Sequence, residues 1–253
     1  MITYTFWDVV GYVGDAVGTA AEAAKAPIAC NMALNHIWGE FPWRQSLAEL
    51  PPFYLVPGEQ VYGPPAVSVP ADFLGLERAY HIVRQPNGAA TLAKELKCIS
   101  DIVTTDLPDW PRYIGYEGST RSFKVGPRPL SNIGAPWHLI TGKYKKVPTL
   151  IKVSDGTTVN KITANNLHDL YLPFDDLYIN VMAEAVKWAF WVLNSDTQRA
   201  GGKQMQNGAV SKWGQFAVMD SAIADMAAKE ATAIGPPVGG PTEALYSPWI
   251  AGW

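Results

Sequence analysis

The chain has 253 residues, of which 48% are apolar and 17% charged, and its formal net charge is −3. This length supports one large or two small domains, and the composition excludes a disordered chain. The negative net charge argues against a protein whose main role is to neutralise phosphate groups. The only cysteines, Cys30 and Cys98, are too far apart for a disulfide-rich scaffold or a cysteine-based metal site. No run reaches the ~20 apolar residues of a membrane-spanning helix, and residues 1–11 lack a basic signal-peptide start. We therefore expect a soluble, unexported protein with no membrane contact.

The first predicted element is a helix over residues 19–39. Thr19 and Glu22 have the spacing of a capping box, and Pro27 interrupts the alanine-rich run that follows. Beyond Pro27 the apolar residues recur with the 3.6-residue period of a helix, which predicts a kinked or two-piece helix ending near Gly39. These apolar residues are Cys30, Leu34, Ile37, Trp38 and Phe41.

Between Pro51 and Pro173, proline and glycine recur at short intervals and separate runs of strand-forming residues. Asp155-Gly156 between two such runs predicts a tight β-hairpin, and Asn87-Gly88 is a second candidate turn. The predicted strands cover residues 53–56, 66–69, 77–84, 95–99, 112–116, 122–125, 138–145, 149–153 and 158–163.

A long helix is predicted over residues 173–199, because Pro173 suits its first turn and Asp175 and Asp176 complement its positive dipole end. A loose linker over residues 200–208 and a second helix over 210–231 should follow. The long helix is apolar on more than one side, which predicts that part of it contacts another subunit. The residues proposed for this subunit interface are Tyr178, Trp188, Phe190 and Trp191.

The last 22 residues are rich in glycine and proline but end in an apolar run that is poorly suited to exposure to water. Either the tail docks on its own chain, or it inserts into a neighbouring subunit or partner. The candidate anchor residues are Leu245, Tyr246, Trp249, Ile250 and Trp253.

Together these elements predict an α+β fold with four zones along the chain. A helical bundle from residues 1–50 and 173–231 carries a β-rich insertion over 51–172, and an extended arm covers 232–253. The helical ends should pack on one another.

The sequence contains no nucleotide-binding, zinc-protease, hydrolase or EF-hand motif, and its four histidines lie in different segments. We therefore predict no catalytic residue, no metal site and no cofactor. The only concentration of basic residues includes Lys143, Lys145 and Lys146, which could contact phosphate or simply form solvated strand faces. The 10 Trp and 11 Tyr residues could form a carbohydrate platform, although core packing explains most of them more simply.

Five short segments, in this order and spacing, resemble the head-to-tail adaptor (connector or neck) proteins of tailed bacteriophages. We call them the adaptor-like segments, and the pattern to which they belong covers residues 30–195, about two-thirds of the chain. They are residues 31–38 (NMALNHIW), 41–43 (FPW), 69–76 (VPADFLGL), 144–150 (YKKVPTL) and 172–177 (LPFDDL).

The resemblance implies a non-enzymatic virion protein at the head–tail interface, assembled in the host cytoplasm. Such proteins form a homo-oligomeric ring, usually of twelve subunits, that joins the portal to tail or nozzle proteins. DNA passes through the ring without sequence-specific binding, and a C-terminal segment often reaches into the portal. The alternative is a carbohydrate-binding or carbohydrate-active virion protein that uses exposed aromatic residues.

Overall fold

The computed structural model describes residues 4–17, 24–85, 90–100, 102, 107–206 and 209–234. The chain divides into two compact units: a helical unit, formed by Met1–Gln45 and Pro148–Ile234, and a β unit, Ser46–Val147. The predicted α+β class is confirmed, and the helices of the two chain ends pack together. Residues 148–172, expected in the β-rich insertion, belong to the helical unit.

In the helical unit, the helix Ile179–Leu193 (α3) packs against Phe6–Val17 (α1), Ala26–Glu40 (α2) and Gly214–Ile234 (α5). Its buried residues occur in every turn, from Val181 and Met182 to Ala189 and Phe190, so that little of α3 is left for solvent. The helices are α1 (Phe6–Val17), α2 (Ala26–Glu40), α3 (Ile179–Leu193), α4 (Thr197–Ala200) and α5 (Gly214–Ile234).

Helix α1 was not predicted, although its sequence carries a reciprocal capping box. The Asp8 amide donates to Thr5 Oγ1 (3.2 Å), and the Thr5 amide donates to Asp8 Oδ2 (2.7 Å). The buried residues Phe6, Val9 and Val13 then follow at helical spacing. The predicted capping box, Thr19 with Glu22, lies outside the described residues.

The β unit contains a seven-stranded, curled half-barrel sheet in the order β1-β9-β3-β4-β6-β7-β2. Its pairs are antiparallel except β4 with β6, which run parallel. The sheet strands are β1 (Leu47–Tyr54), β2 (Val61–Tyr62), β3 (Phe73–Arg84), β4 (Ala90–Cys98), β6 (Tyr113–Glu117), β7 (Ser122–Gly126) and β9 (His138–Lys146). Strands β5 (Pro108–Asp109) and β8 (Arg128–Pro129) form a separate parallel pair.

The predicted Asp155-Gly156 hairpin is confirmed by the antiparallel pairing of β10 (Leu150–Ile151) with β11 (Thr158–Val159). The strand predicted at residues 66–69 is wrong, because this segment is a turn and irregular backbone. Residues 87 and 88, the other candidate turn, lie outside the described residues.

The linker predicted at residues 200–208 is wrong over most of its length. Here β12 (Gly202–Gln206) pairs antiparallel with β13 (Ala209–Trp213), and α5 begins only at Gly214. The sequence Asn207-Gly208 between the two strands is the hairpin signal that could have predicted this ribbon.

The helix predicted over residues 173–199 is also interrupted. It begins with a 3-10 turn, Asp176–Tyr178, and α3 ends at Leu193. Asp196 then caps the short α4 by accepting a hydrogen bond from the Arg199 amide (3.0 Å). The polar run Asn194-Ser195-Asp196 therefore ends one helix and starts the next.

Candidate interaction surface

Three adaptor-like segments, 31–38, 41–43 and 172–177, meet inside the helical unit. Trp43 is fully buried and its indole Nε1–H donates to the carbonyl of Ile37 (2.6 Å). The Phe174 ring lies 5.6 Å from the Trp38 ring and 6.2 Å from the Trp43 ring. An exposed ion pair joins Arg44 to Asp175 (3.5 Å). These contacts bring the end of α2 together with the segment that leads into α3.

The other two adaptor-like segments, 69–76 and 144–150, meet inside the β unit. The Tyr144 hydroxyl donates to Asp72 Oδ1 (2.8 Å), and the Val147 amide donates to the Asp72 carbonyl (2.7 Å). The rings of Phe73 and Tyr144 stack at 5.3 Å. Burial, with the Asp72 carboxylate, raises the pKa of Tyr144 to about 12, so the hydroxyl keeps its proton at neutral pH. The segment 144–150 also contains the point where the chain returns to the helical unit.

The residues predicted for a subunit interface all have partners within the helical unit. Phe190 is 1% exposed and belongs to the core. The Trp188 ring lies 5.1 Å from the His36 ring, and the Arg199 guanidinium lies over the Trp191 ring at 4.9 Å. The Tyr178 hydroxyl donates to Glu230 Oε1 (3.4 Å).

These contacts remove the reason for which α3 was assigned to an intersubunit contact. The apolar residues on several sides of α3 are explained by α1, α2 and α5 of the same chain. Any subunit interface therefore has to lie on a surface that the subunit leaves exposed.

The three candidate phosphate-binding lysines do not form one patch. Side chains alternate along a strand, so Lys143 and Lys145 share one face of β9 and Lys146 lies on the other. Lys143 is exposed and pairs in register with Glu49 of β1 on one side and Arg78 of β3 on the other. A neighbouring carboxylate makes this a mixed-charge strand face rather than a concentrated phosphate site. The candidate arm residues, 245–253, lie outside the described residues.

One exposed surface was missed by the sequence reasoning. On the β12–β13 hairpin, every described side chain from Lys203 onward is exposed, including Met205 (76%) and Val210 (57%). Cross-strand register pairs Met205 with Val210 and Lys203 with Lys212. Because these two pairs are two residues apart, all four side chains share one face of the ribbon.

Glycines hold the base of this hairpin against the start of α5. A Cβ atom at Gly201 would lie 1.9 Å from the carbonyl oxygen of Trp213, and one at Gly214 would lie 2.7 Å from the Gly201 Cα. Both glycines also have positive φ, of 68° and 64°. Lys212 forms an ion pair with Asp220 of α5. The orientation of the hairpin is therefore specified by the fold.

The most unusual polar contact lies between two buried histidines of the β unit. His81 Nε2 and His138 Nδ1 are 3.1 Å apart, and the Trp110 ring lies within 6 Å of both rings. Burial, then His138 and Lys94, lower the pKa of His81 to about 4, and burial also lowers the pKa of His138. Both rings are neutral at pH 7, and one donates the shared proton to the other.

The described residues offer little that resembles a catalytic or metal site. Within them, no group of three or more His, Cys, Asp or Glu side chains could hold a metal ion. Burial raises the pKa of the Cys30 thiol to about 12, which keeps it protonated at neutral pH. Glu117, the carboxylate that lines a shallow cavity of the β unit, is paired with Lys124 (2.9 Å).

Another cavity, of about 330 Å³, contains a partly exposed aromatic residue. Trp137, which is 39% exposed, lies at its wall together with Ser131 and Asn132. An aromatic face beside hydroxyl and amide groups has the chemistry of a weak sugar-binding surface.

Comparison with known proteins adds no family assignment. No protein-family model matches the chain, and a search of curated proteins returns no match. In the part of the chain that the structure describes, no helix combines the length and apolarity needed to cross a membrane.

Proposed function

We propose that the protein is a head-to-tail adaptor of a tailed bacteriophage: a non-enzymatic ring, of about twelve subunits by the resemblance, that joins the portal to tail or nozzle proteins. The observation that carries this proposal is the clustering of the adaptor-like segments. Segments far apart in sequence contact one another through Trp43 with Phe174 in one unit and Asp72 with Tyr144 in the other.

The order of the two units supports the proposal. Both ends of the described chain contribute to the helical unit, and the β unit is a single insertion between them. In an adaptor, this order would let the helical unit carry the ring and the β unit meet the tail proteins. The net charge of −3 and the mixed charges around Lys143 suit a channel through which DNA passes without being held.

The C-terminal residues supply the portal contact in this proposal. Trp249 and Trp253 would act as anchors, and the prolines and glycines before them would provide an extended connection to the subunit.

Electron microscopy of the purified protein, alone and mixed with portal, tests the proposal. Closed rings in class averages, and rings stacked coaxially on the portal, are expected. A chain lacking residues 242–253 should keep its circular dichroism spectrum and fail to bind portal. A chain with Trp249→Leu and Trp253→Leu is the matched control for arm length and should bind portal more weakly. Absence of rings in both preparations would contradict the adaptor function.

A carbohydrate-binding virion protein is the second candidate, favoured only by the cavity beside Trp137. If this candidate is right, a glycan array should show binding that Trp137→Ala abolishes and Trp110→Phe, at a half-buried tryptophan of the same unit, leaves unchanged.

A further inference from the structure

The β12–β13 hairpin exposes an unusual amount of apolar surface for a fixed structural element. Two-stranded hairpins are at best marginally stable in water without a packing partner. This one is nevertheless held at its base by Gly201, Gly214 and the Lys212–Asp220 ion pair. Its outer part, with Met205 and Val210 side by side, is left exposed by the part of the chain that the structure describes.

The same face of the hairpin carries an unpaired cation. Lys212 is neutralised by Asp220, whereas Lys203, opposite it, has no ion pair among the described residues. The face therefore presents an apolar pair beside one positive charge.

Helix α5 has an exposed face with the complementary pattern. Val218 is 50% exposed, and Ser221, Asp225 and Ala228 continue its stripe at spacings of three and four residues. Asp225 has no ion pair among the described residues. The small side chains allow close approach, and Asp225 provides one negative charge two turns beyond Val218.

We propose that the hairpin is the contact between subunits: Met205 and Val210 of one copy pack on the α5 face of a second copy, with Lys203 opposite Asp225. The two surfaces are different patches of one subunit, so the contact is heterologous and repeats from copy to copy, which generates a ring when the rotation closes. The inference rests on the proposed ring and replaces α3 with the hairpin as the surface that forms it.

The full chain can be tested without portal, by measuring its oligomer distribution over a concentration series by analytical ultracentrifugation. Met205→Asp places a charge in the apolar contact and should raise the concentration needed for assembly by at least about tenfold. Lys203→Asp and Asp225→Lys should each weaken assembly, and the double variant, which restores opposite charges, should recover most of it. Lys161→Asp, an exposed charge reversal elsewhere in the helical unit, is the matched control and should assemble like wild type.

Two results would overturn the proposed contact, and only the second of them would also contradict the adaptor function. If Met205→Asp assembles like wild type and the charge reversals show no mutual recovery, the hairpin is not the interface, while an adaptor ring can still form through another surface. If the wild-type chain is monomeric at every concentration, both alone and with portal, the ring and the contact fail together. Unchanged circular dichroism and melting temperature of the exposed-site variants exclude misfolding as the cause of lost assembly.

Discussion

The two units of this protein are built in different ways. The helical unit combines two distant segments of the chain. Its core is almost entirely apolar, and among its described residues Glu230 is the only buried polar side chain. The described residues of the β unit come from a single stretch of the chain, and they bury four polar side chains, those of Ser46, His81, Ser122 and His138. A helix satisfies its backbone hydrogen bonds internally, so its core contacts are adaptable; a sheet fixes each side chain by register, so specific ring and hydrogen-bond partners decide its packing.

The largest expected effect tests whether the aromatic core of the β unit is less adaptable than the helical core. Phe123 is fully buried, and its ring lies 5.5 Å from both Phe53 and Phe73 and 5.6 Å from Tyr116. Phe123→Ala should lower the free energy of unfolding by about 3–5 kcal/mol, measured by urea denaturation. Phe190→Ala is the same truncation in the helical core, where Phe190 is also buried, and should cost less because the helices can move into the cavity. Equal losses in the two variants would remove the proposed difference.

The next effect is a pH dependence of stability, to which His81 of the β unit should contribute more than the half-buried His36 of the helical unit. Because the folded pKa of His81 is about 4 and an unfolded histidine titrates near ~6.5, only the unfolded chain gains a proton between these values. The free energy of unfolding is therefore highest above pH ~6.5. It falls by on the order of 3 kcal/mol as the pH drops toward 4, because protonation then favours the unfolded chain. Urea denaturation at pH 7 and pH 4.5 measures it.

Two variants connect this pH dependence to the buried pair. His81→Gln keeps an amide near the position of Nε2 but does not titrate, so the difference in stability between pH 7 and pH 4.5 should shrink. His168→Gln changes an exposed histidine of the helical unit and should leave the difference as in wild type. A pH dependence unchanged by His81→Gln would show that other groups cause it.

A smaller effect concerns the hydrogen bond that joins two adaptor-like segments in the β unit. Tyr144→Phe removes the 2.8 Å contact with Asp72 and keeps the ring stacked on Phe73, so a loss of about 1 kcal/mol is expected. Asp72→Asn keeps an oxygen acceptor and should cost less. Urea denaturation measures both losses. A larger loss of stability in Asp72→Asn than in Tyr144→Phe would contradict this order.

The smallest effect should come from the corresponding charged contact in the helical unit. Arg44 and Asp175 are both largely exposed, so water screens their 3.5 Å ion pair. Arg44→Ala should change the free energy of unfolding by less than about 1 kcal/mol, and 1 M salt should remove most of that difference. A loss as large as that of Phe123→Ala would show that the ion pair organises this part of the fold.

Local sequence patterns determined the α+β class, the apolar face of α2 and the Asp155-Gly156 hairpin, because periodicity and turn chemistry act over a few residues. They did not reveal the break at Asp196, since one helix was predicted over residues 173–199. The same patterns contained Thr5 with Asp8 and Asn207-Gly208, so α1 and the β12–β13 hairpin were within reach of sequence reasoning and were missed.

Only the tertiary structure decided which apolar surfaces stay exposed. The composition of α3 indicates a helix buried on several sides, but it cannot say whether those sides meet the same chain or another subunit. Nor does any local pattern bring His81 to His138, 57 residues away, or Asp72 to Tyr144, 72 residues away. These contacts depend on strand register and on the way two distant segments form one helical unit, and such long-range pairings leave no periodic trace in the sequence.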